Sequence, residues 1–119
     1  MKVIMKNKSK LEIDNNGTKE WYLNGKRHRI DGPAVEYANG TKFWFLNGLL
    51  HREDGPAKEY PNGSKLWYLN GKLHREDGPT IEWSNGIKEW FLNGKQVKEK
   101  DIINYNITER EYIEFIIKH

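Results

Sequence analysis

Asn-Gly recurs eight times along this chain, and its spacing is strict. Asn16-Gly17, Asn39-Gly40, Asn62-Gly63 and Asn85-Gly86 follow one another at 23 residues, with a second series at Asn24-Gly25, Asn47-Gly48, Asn70-Gly71 and Asn93-Gly94. Trp21, Trp44, Trp67 and Trp90 keep the same step, as do Leu23, Leu46, Leu69 and Leu92. His28-Arg29, His51-Arg52 and His74-Arg75 follow in register, and after them Asp31-Gly32-Pro33, Asp54-Gly55-Pro56 and Asp77-Gly78-Pro79. A period of this length means a stack of like units, none able to bury its apolar face alone. The fourth copy departs after Gly94, reading Lys95-Gln96-Val97-Lys98-Glu99-Lys100 with neither His-Arg nor Asp-Gly-Pro, as a terminal capping unit does.

Two Asn-Gly pairs per unit predict two hairpins, because both central residues of a type I′ turn need φ > 0. A two-residue loop at Asn39-Gly40 sets Tyr37 against Lys42, Glu36 against Phe43 and Val35 against Trp44. A second loop at Asn47-Gly48 sets Phe45 against Leu50 and Trp44 against His51. The expected fold is mainly β: an elongated, twisted antiparallel meander, with Asp-Gly-Pro ending each short strand.

Strand alternation in that register sorts the side chains into two faces. Trp21, Trp44, Trp67 and Trp90, with Leu46, Val35, Tyr37 and His51, make the expected core face. The opposite face carries the column Tyr22, Phe45, Tyr68, Phe91, flanked by Arg29, Arg52 and Arg75 and by Glu36, Glu59 and Glu82. A column Lys19, Lys42, Lys65, Lys88 is expected to lay its stems along rings. The chain reads as one domain over 1–119, with four repeats over 10–97 and a C-terminal helical cap over 98–119. Thr108-Glu109-Arg110-Glu111 is a capping box that predicts a helix over Glu109 to Lys118, and a shorter turn is expected near Lys98 to Asn104.

Only 36% of the 119 residues are hydrophobic and 31% are charged, a balance that would favour disorder without the five Trp, six Tyr and four Phe. With no Cys, disulfide scaffolds, thiolate zinc sites and thiol nucleophiles are excluded. The net charge of +3 is a small excess in a mixed population, unlike the footprint of a dedicated DNA binder. No apolar run has the length of a membrane span, so a soluble cytoplasmic protein is expected.

The 23-residue unit, Trp-(Tyr/Phe)-Leu-Asn-Gly, then His, then a Gly-containing bend, an aromatic strand and another Asn-Gly, resembles a variant of the MORN repeat over about residues 11 to 97. In ordinary MORN repeats a Gly follows the His; here Arg29, Arg52 and Arg75 stand there. The His-Arg-x-Asp-Gly-Pro variant is similar to repeat proteins of bacteria, phages and large viruses, some labelled antitoxin-like. That resemblance implies an elongated binding or dimerisation module without shared catalysis, and, for a phage-encoded chain, action in the host cytoplasm.

His28/Asp31, His51/Asp54 and His74/Asp77 have the residue types of a catalytic or zinc-binding pair. They recur with the scaffold period, and no Ser, Cys or third ligand recurs beside them to complete a nucleophile or a metal shell. The expected role is structural, with His packed on the cross-strand Trp and Asp accepting backbone N–H groups in the bend. No catalytic residue, metal or cofactor is assigned. Tyr22, Phe45, Tyr68 and Phe91 with Arg29, Arg52 and Arg75 are the candidate partner-binding face, since aromatic and Arg side chains dominate interface hot spots. The expected partner is a protein, most sharply a bacterial nuclease or immune effector inhibited in an anti-CRISPR, anti-defence or antitoxin-like manner. RNA or an anionic lipid surface is the alternative partner. A homodimer formed through a first strand near Lys10 to Ile13 is the third reading.

Overall fold

The computed structural model describes residues 8–105, which form fourteen short strands and one short C-terminal helix. The first copy contributes β1 (Lys10–Ile13), β2 (Lys19–Leu23) and β3 (Lys26–Arg27). The second gives β4 (Val35–Glu36), β5 (Lys42–Phe43), β6 (Phe45–Leu46) and β7 (Leu49–Leu50), and the third gives β8 (Lys58–Glu59), β9 (Lys65–Leu66), β10 (Tyr68–Leu69) and β11 (Lys72–Leu73). The last has β12 (Ile81–Glu82), β13 (Lys88–Leu92) and β14 (Lys95–Val97), and runs into α1, helical over 99–105. All pairings are antiparallel, in the order β1-β2-β4-β5-β8-β9-β12-β13-β14 with β3 beside β2. The two middle copies add small ribbons, β6 with β7 and β10 with β11. This open meander is a plate of 52 × 50 × 17 Å; its radius of gyration is 17.5 Å, against about 13 Å for a compact chain of similar length.

The two Asn-Gly series make different turns, and the difference sets the faces. At Asn24-Gly25, Asn47-Gly48, Asn70-Gly71 and Asn93-Gly94 both residues have positive φ, 50° at Asn47 and 80° at Gly48. These are two-residue loops as expected, with Phe45 opposite Leu50 and the His51 N–H on the Trp44 carbonyl. In the other series only the glycine is left-handed, with Gly40 at 95°. There the loop is Ala38-Asn39-Gly40, closed by Gly40 N–H to Tyr37 O and Tyr37 N–H to Thr41 O. The three-residue loop, with Gly as the bulge residue, pairs Val35 with Phe43 and Glu36 with Lys42.

A slip of one residue moves a strand's side chains to the opposite face. The expected assignment of Val35 and Tyr37 to the Trp44 face is therefore corrected: Tyr37 meets Phe43 edge-on at 5.5 Å. Glu36, Glu59 and Glu82 move the other way and join the Trp side. Across the sheet the register runs Lys19, Glu36, Lys42, Glu59, Lys65, Glu82, Lys88, an unbroken alternation of charge. The Lys column is thus in cross-strand register with the Glu column.

The core is thin. The buried apolar residues are Ala34, Val35, Ala57, Leu66, Ile81 and Ile102, and no aromatic ring among the described residues is fully buried. The Trp column, expected on the core face, is only half-buried. In the last copy α1 starts from Lys98, whose N–H is bonded to the Asp101 carboxylate at 3.0 Å, the side-chain half of a capping box. This helix lies where a turn was expected; the helix expected over Glu109 to Lys118 falls outside the described residues. At the opposite edge β1 has all four residues exposed, Leu11 and Ile13 among them.

Candidate functional site

The His-Arg-x-Asp-Gly-Pro loop is the densest cluster of polar side chains, and it is built the same way three times. The Arg52 guanidinium lies 3.9 Å from the Trp44 ring centre, as Arg29 does over Trp21 and Arg75 over Trp67, both at 3.8 Å. Arg52 Nε donates to Asp54 at 3.0 Å, and Nη1 donates to the Pro56 carbonyl at 3.0 Å and to Glu59 at 3.1 Å. Each residue of the motif now has a physical reason. Asp aims the guanidinium, Pro ends the strand and exposes a carbonyl, and Gly leaves room, because a Cβ on Gly55 would stand 2.9 Å from Arg52 Cζ. Asp54 is 87% exposed, so the ion pair contributes under about 1 kcal/mol. The stack and the bond to the Pro56 carbonyl, on a side chain only 22% exposed, carry most of the energy, about 2–3 kcal/mol together.

The histidines join one copy to the next. His28 Nδ1 accepts the Asn47 N–H at 2.9 Å; His51 and His74 do the same for Asn70 and Asn93. The neighbouring Gly48, Gly71 and Gly94 N–H groups donate to the carbonyls of Arg27, Leu50 and Leu73. His74 Nε2 lies 3.1 Å from Glu76, so the ring bridges a backbone donor and a carboxylate.

Two roles were not read from the sequence: Arg covers a face of the Trp ring, and Asp accepts from the Arg Nε. The faces separate as well: Arg29, Arg52 and Arg75 sit on the Trp side, away from Tyr22, Phe45, Tyr68 and Phe91. Sequence reasoning placed them together by continuing strand alternation from the Asn47-Gly48 hairpin to Arg52, which lies beyond the end of β7 at Leu50, and the glycine cradle under each guanidinium left no sign in the spacing. Among the described residues no three His, Asp or Glu side chains converge as a metal site.

The Tyr/Phe column remains half-exposed and is flanked by cations of its own chain. Arg27 stands 5.5 Å over Phe45, and Lys58 lies 5.0 Å from Phe43 and 5.5 Å from Tyr68. Tyr22 donates to Glu20, which also takes Arg27 Nε at 3.1 Å; the Glu20 bond holds the Tyr22 phenol above its ordinary range. Burial raises the Tyr68 and Tyr60 phenols in the same direction. A further column, at the rim made by the three-residue turns, was not read from the sequence: Tyr37, Tyr60 and Trp83, also 23 residues apart, with Tyr37 36% and Trp83 39% exposed. Its period was visible, but its position on the rim follows from the loop length.

No protein-family model, curated protein or solved structure matches the chain. No helix among the described residues is long and apolar enough to cross a membrane.

Proposed function

We propose that this protein is a non-catalytic, protein-binding repeat module that meets its partner through the face carrying Tyr22, Phe45, Tyr68 and Phe91. The supporting observation is that every aromatic side chain among the described residues keeps some of its surface in water, although rings are the side chains a thin chain most needs to bury. Rings half-exposed in a column, bordered by Arg27 and Lys58, suit a partner surface with apolar and acidic groups. The His, Arg and Asp side chains that could serve chemistry are engaged in holding the repeats together, which favours binding over catalysis. The resemblance to MORN-variant repeats of phages and bacteria sharpens the reading to an inhibitor of a bacterial nuclease or immune effector.

Affinity capture from a bacterial lysate with the wild type and a Phe45→Ala, Tyr68→Ala double variant tests this. A nuclease-bearing partner held by the wild type and lost by the variant is the expected result. A wild type that retains nothing, or a variant that retains the same partner, overturns it.

A further inference from the structure

The rim of the plate has an open slot of about 300 Å³ between the turns of the last two copies. Tyr60, Asn62 and Ser64 line one side and Trp83, Ser84 and Asn85 the other. At the equivalent places between the earlier copies the chain itself comes closer. Pro61 Cγ lies 3.6 Å from where a Cβ of Gly40 would be, and the Ala38 methyl is 3.7 Å from the same point on Gly17. At the third junction the residue in that register is Ser84, whose N–H donates to Ser64 Oγ at 2.9 Å. Nothing then comes within 4 Å of the Gly63 position. One rung thus holds a proline of the chain's own, and the next is open.

Two amide donors stand among the polar groups around the slot. Asn62 Oδ1 accepts from the Ser64 N–H and Asn85 Oδ1 from the Ile87 N–H. Each side chain therefore offers a ligand its NH₂ group, a donor. Trp83 Nε1 is engaged by Glu89 at 2.7 Å, so this indole offers its ring. With two amide donors, and with the Tyr60 and Ser84 hydroxyls able to donate as well as accept, a slot of two rings suits a ligand that is apolar and rich in hydrogen-bond acceptors. A prolyl segment answers that description, since Pro has a carbonyl and no N–H.

A polyproline II helix leaves its carbonyls unbonded, free to accept from the two amides.

We infer that the slot between Tyr60 and Trp83 docks a proline-rich segment of a partner in the polyproline II conformation. One proline enters the slot. This rests on the binding-module reading and adds a second, separate contact on the rim.

The test is a titration of ¹⁵N-labelled protein with end-blocked decaproline, following the Trp83 indole N–H and the Asn62 and Asn85 side-chain amides. Saturable shifts of these three groups are expected, weakened about tenfold or more by Trp83→Ala. Ser84→Pro, which gives the third junction the proline of the second, is expected to fill the slot and abolish the shifts. Phe45→Ala, on the other contact, leaves them unchanged. No shifts at about 1 mM decaproline overturn the inference, as does equal binding by the Ser84→Pro variant with its spectrum otherwise intact. Larger shifts of the same amides with cellohexaose, which both donates and accepts, also overturn it in favour of a glycan. The capture experiment with the Phe45→Ala, Tyr68→Ala variant reads the other face, so either reading can fail alone.

Discussion

The first three repeats close with His-Arg-x-Asp-Gly-Pro and the fourth does not, and the register shows what each substitution replaces. Val97 lies 23 residues after His74, Lys98 after Arg75, Asp101 after Gly78 and Ile102 after Pro79. In the first three copies the His accepts an N–H from the turn of the copy that follows. The fourth has no successor, so an acceptor there would have nothing to receive. Val97 keeps the backbone pairing with Trp90 that each His makes with its own Trp, and brings no acceptor. Where glycine made space for a guanidinium, Asp101 caps α1, and where proline ended a strand, Ile102 is buried. The motif is therefore a junction rather than a site, present only where one copy must hold the next.

The largest effect is expected from removing the guanidinium. Arg52→Ala uncovers Trp44 and leaves the Pro56 carbonyl without its donor, at a cost of about 3 kcal/mol. Lys98→Ala, in the same register of the last copy, costs under about 0.5 kcal/mol. Urea unfolding of the two variants decides; equal losses would break the distinction between junction and cap.

A smaller effect follows at the histidine. His74→Leu leaves the Asn93 N–H without its acceptor, at about 1–2 kcal/mol, and faster hydrogen exchange at Asn93 and Gly94 should accompany it. Val97→His adds nothing, since no turn follows to donate; a stabilised Val97→His variant would count against the argument.

The smallest effect is alkaline. The Tyr60 and Tyr68 phenols are raised above 10.0 mainly by burial, so folding favours their neutral form. Stability from this source is present below the unfolded value and is lost as pH rises through the raised folded one. The fourth copy has Trp83 and Phe91 in those registers, which do not ionise. Hydrogen exchange near pH 11 (an approximate value past the ordinary phenol range) should therefore quicken in the third copy before the fourth, and a uniform response would refute this.

Much of this was legible in the chain. Period, hairpin series and the break after Gly94 are written in residue types, because a turn with two positive φ angles selects Asn-Gly wherever it occurs. The faces were less legible. The dipeptide also serves a three-residue loop with Gly as the bulge, and nothing within Ala38-Asn39-Gly40 separates the two geometries until the partner strand is in place. The Tyr37, Tyr60, Trp83 rim was missed for that reason, and the guanidinium cradle because a clash avoided at Gly55 involves a side chain that has to fold back over it.

The sequence by itself determined the repeat, its antiparallel strands and the place where the stack stops, since these follow from local backbone preferences and their period. The tertiary structure decided which face each ring shares, which group covers each Trp and where the slot opens. Those outcomes depend on a one-residue register, and register is settled only when neighbouring strands compete to bury the same surface.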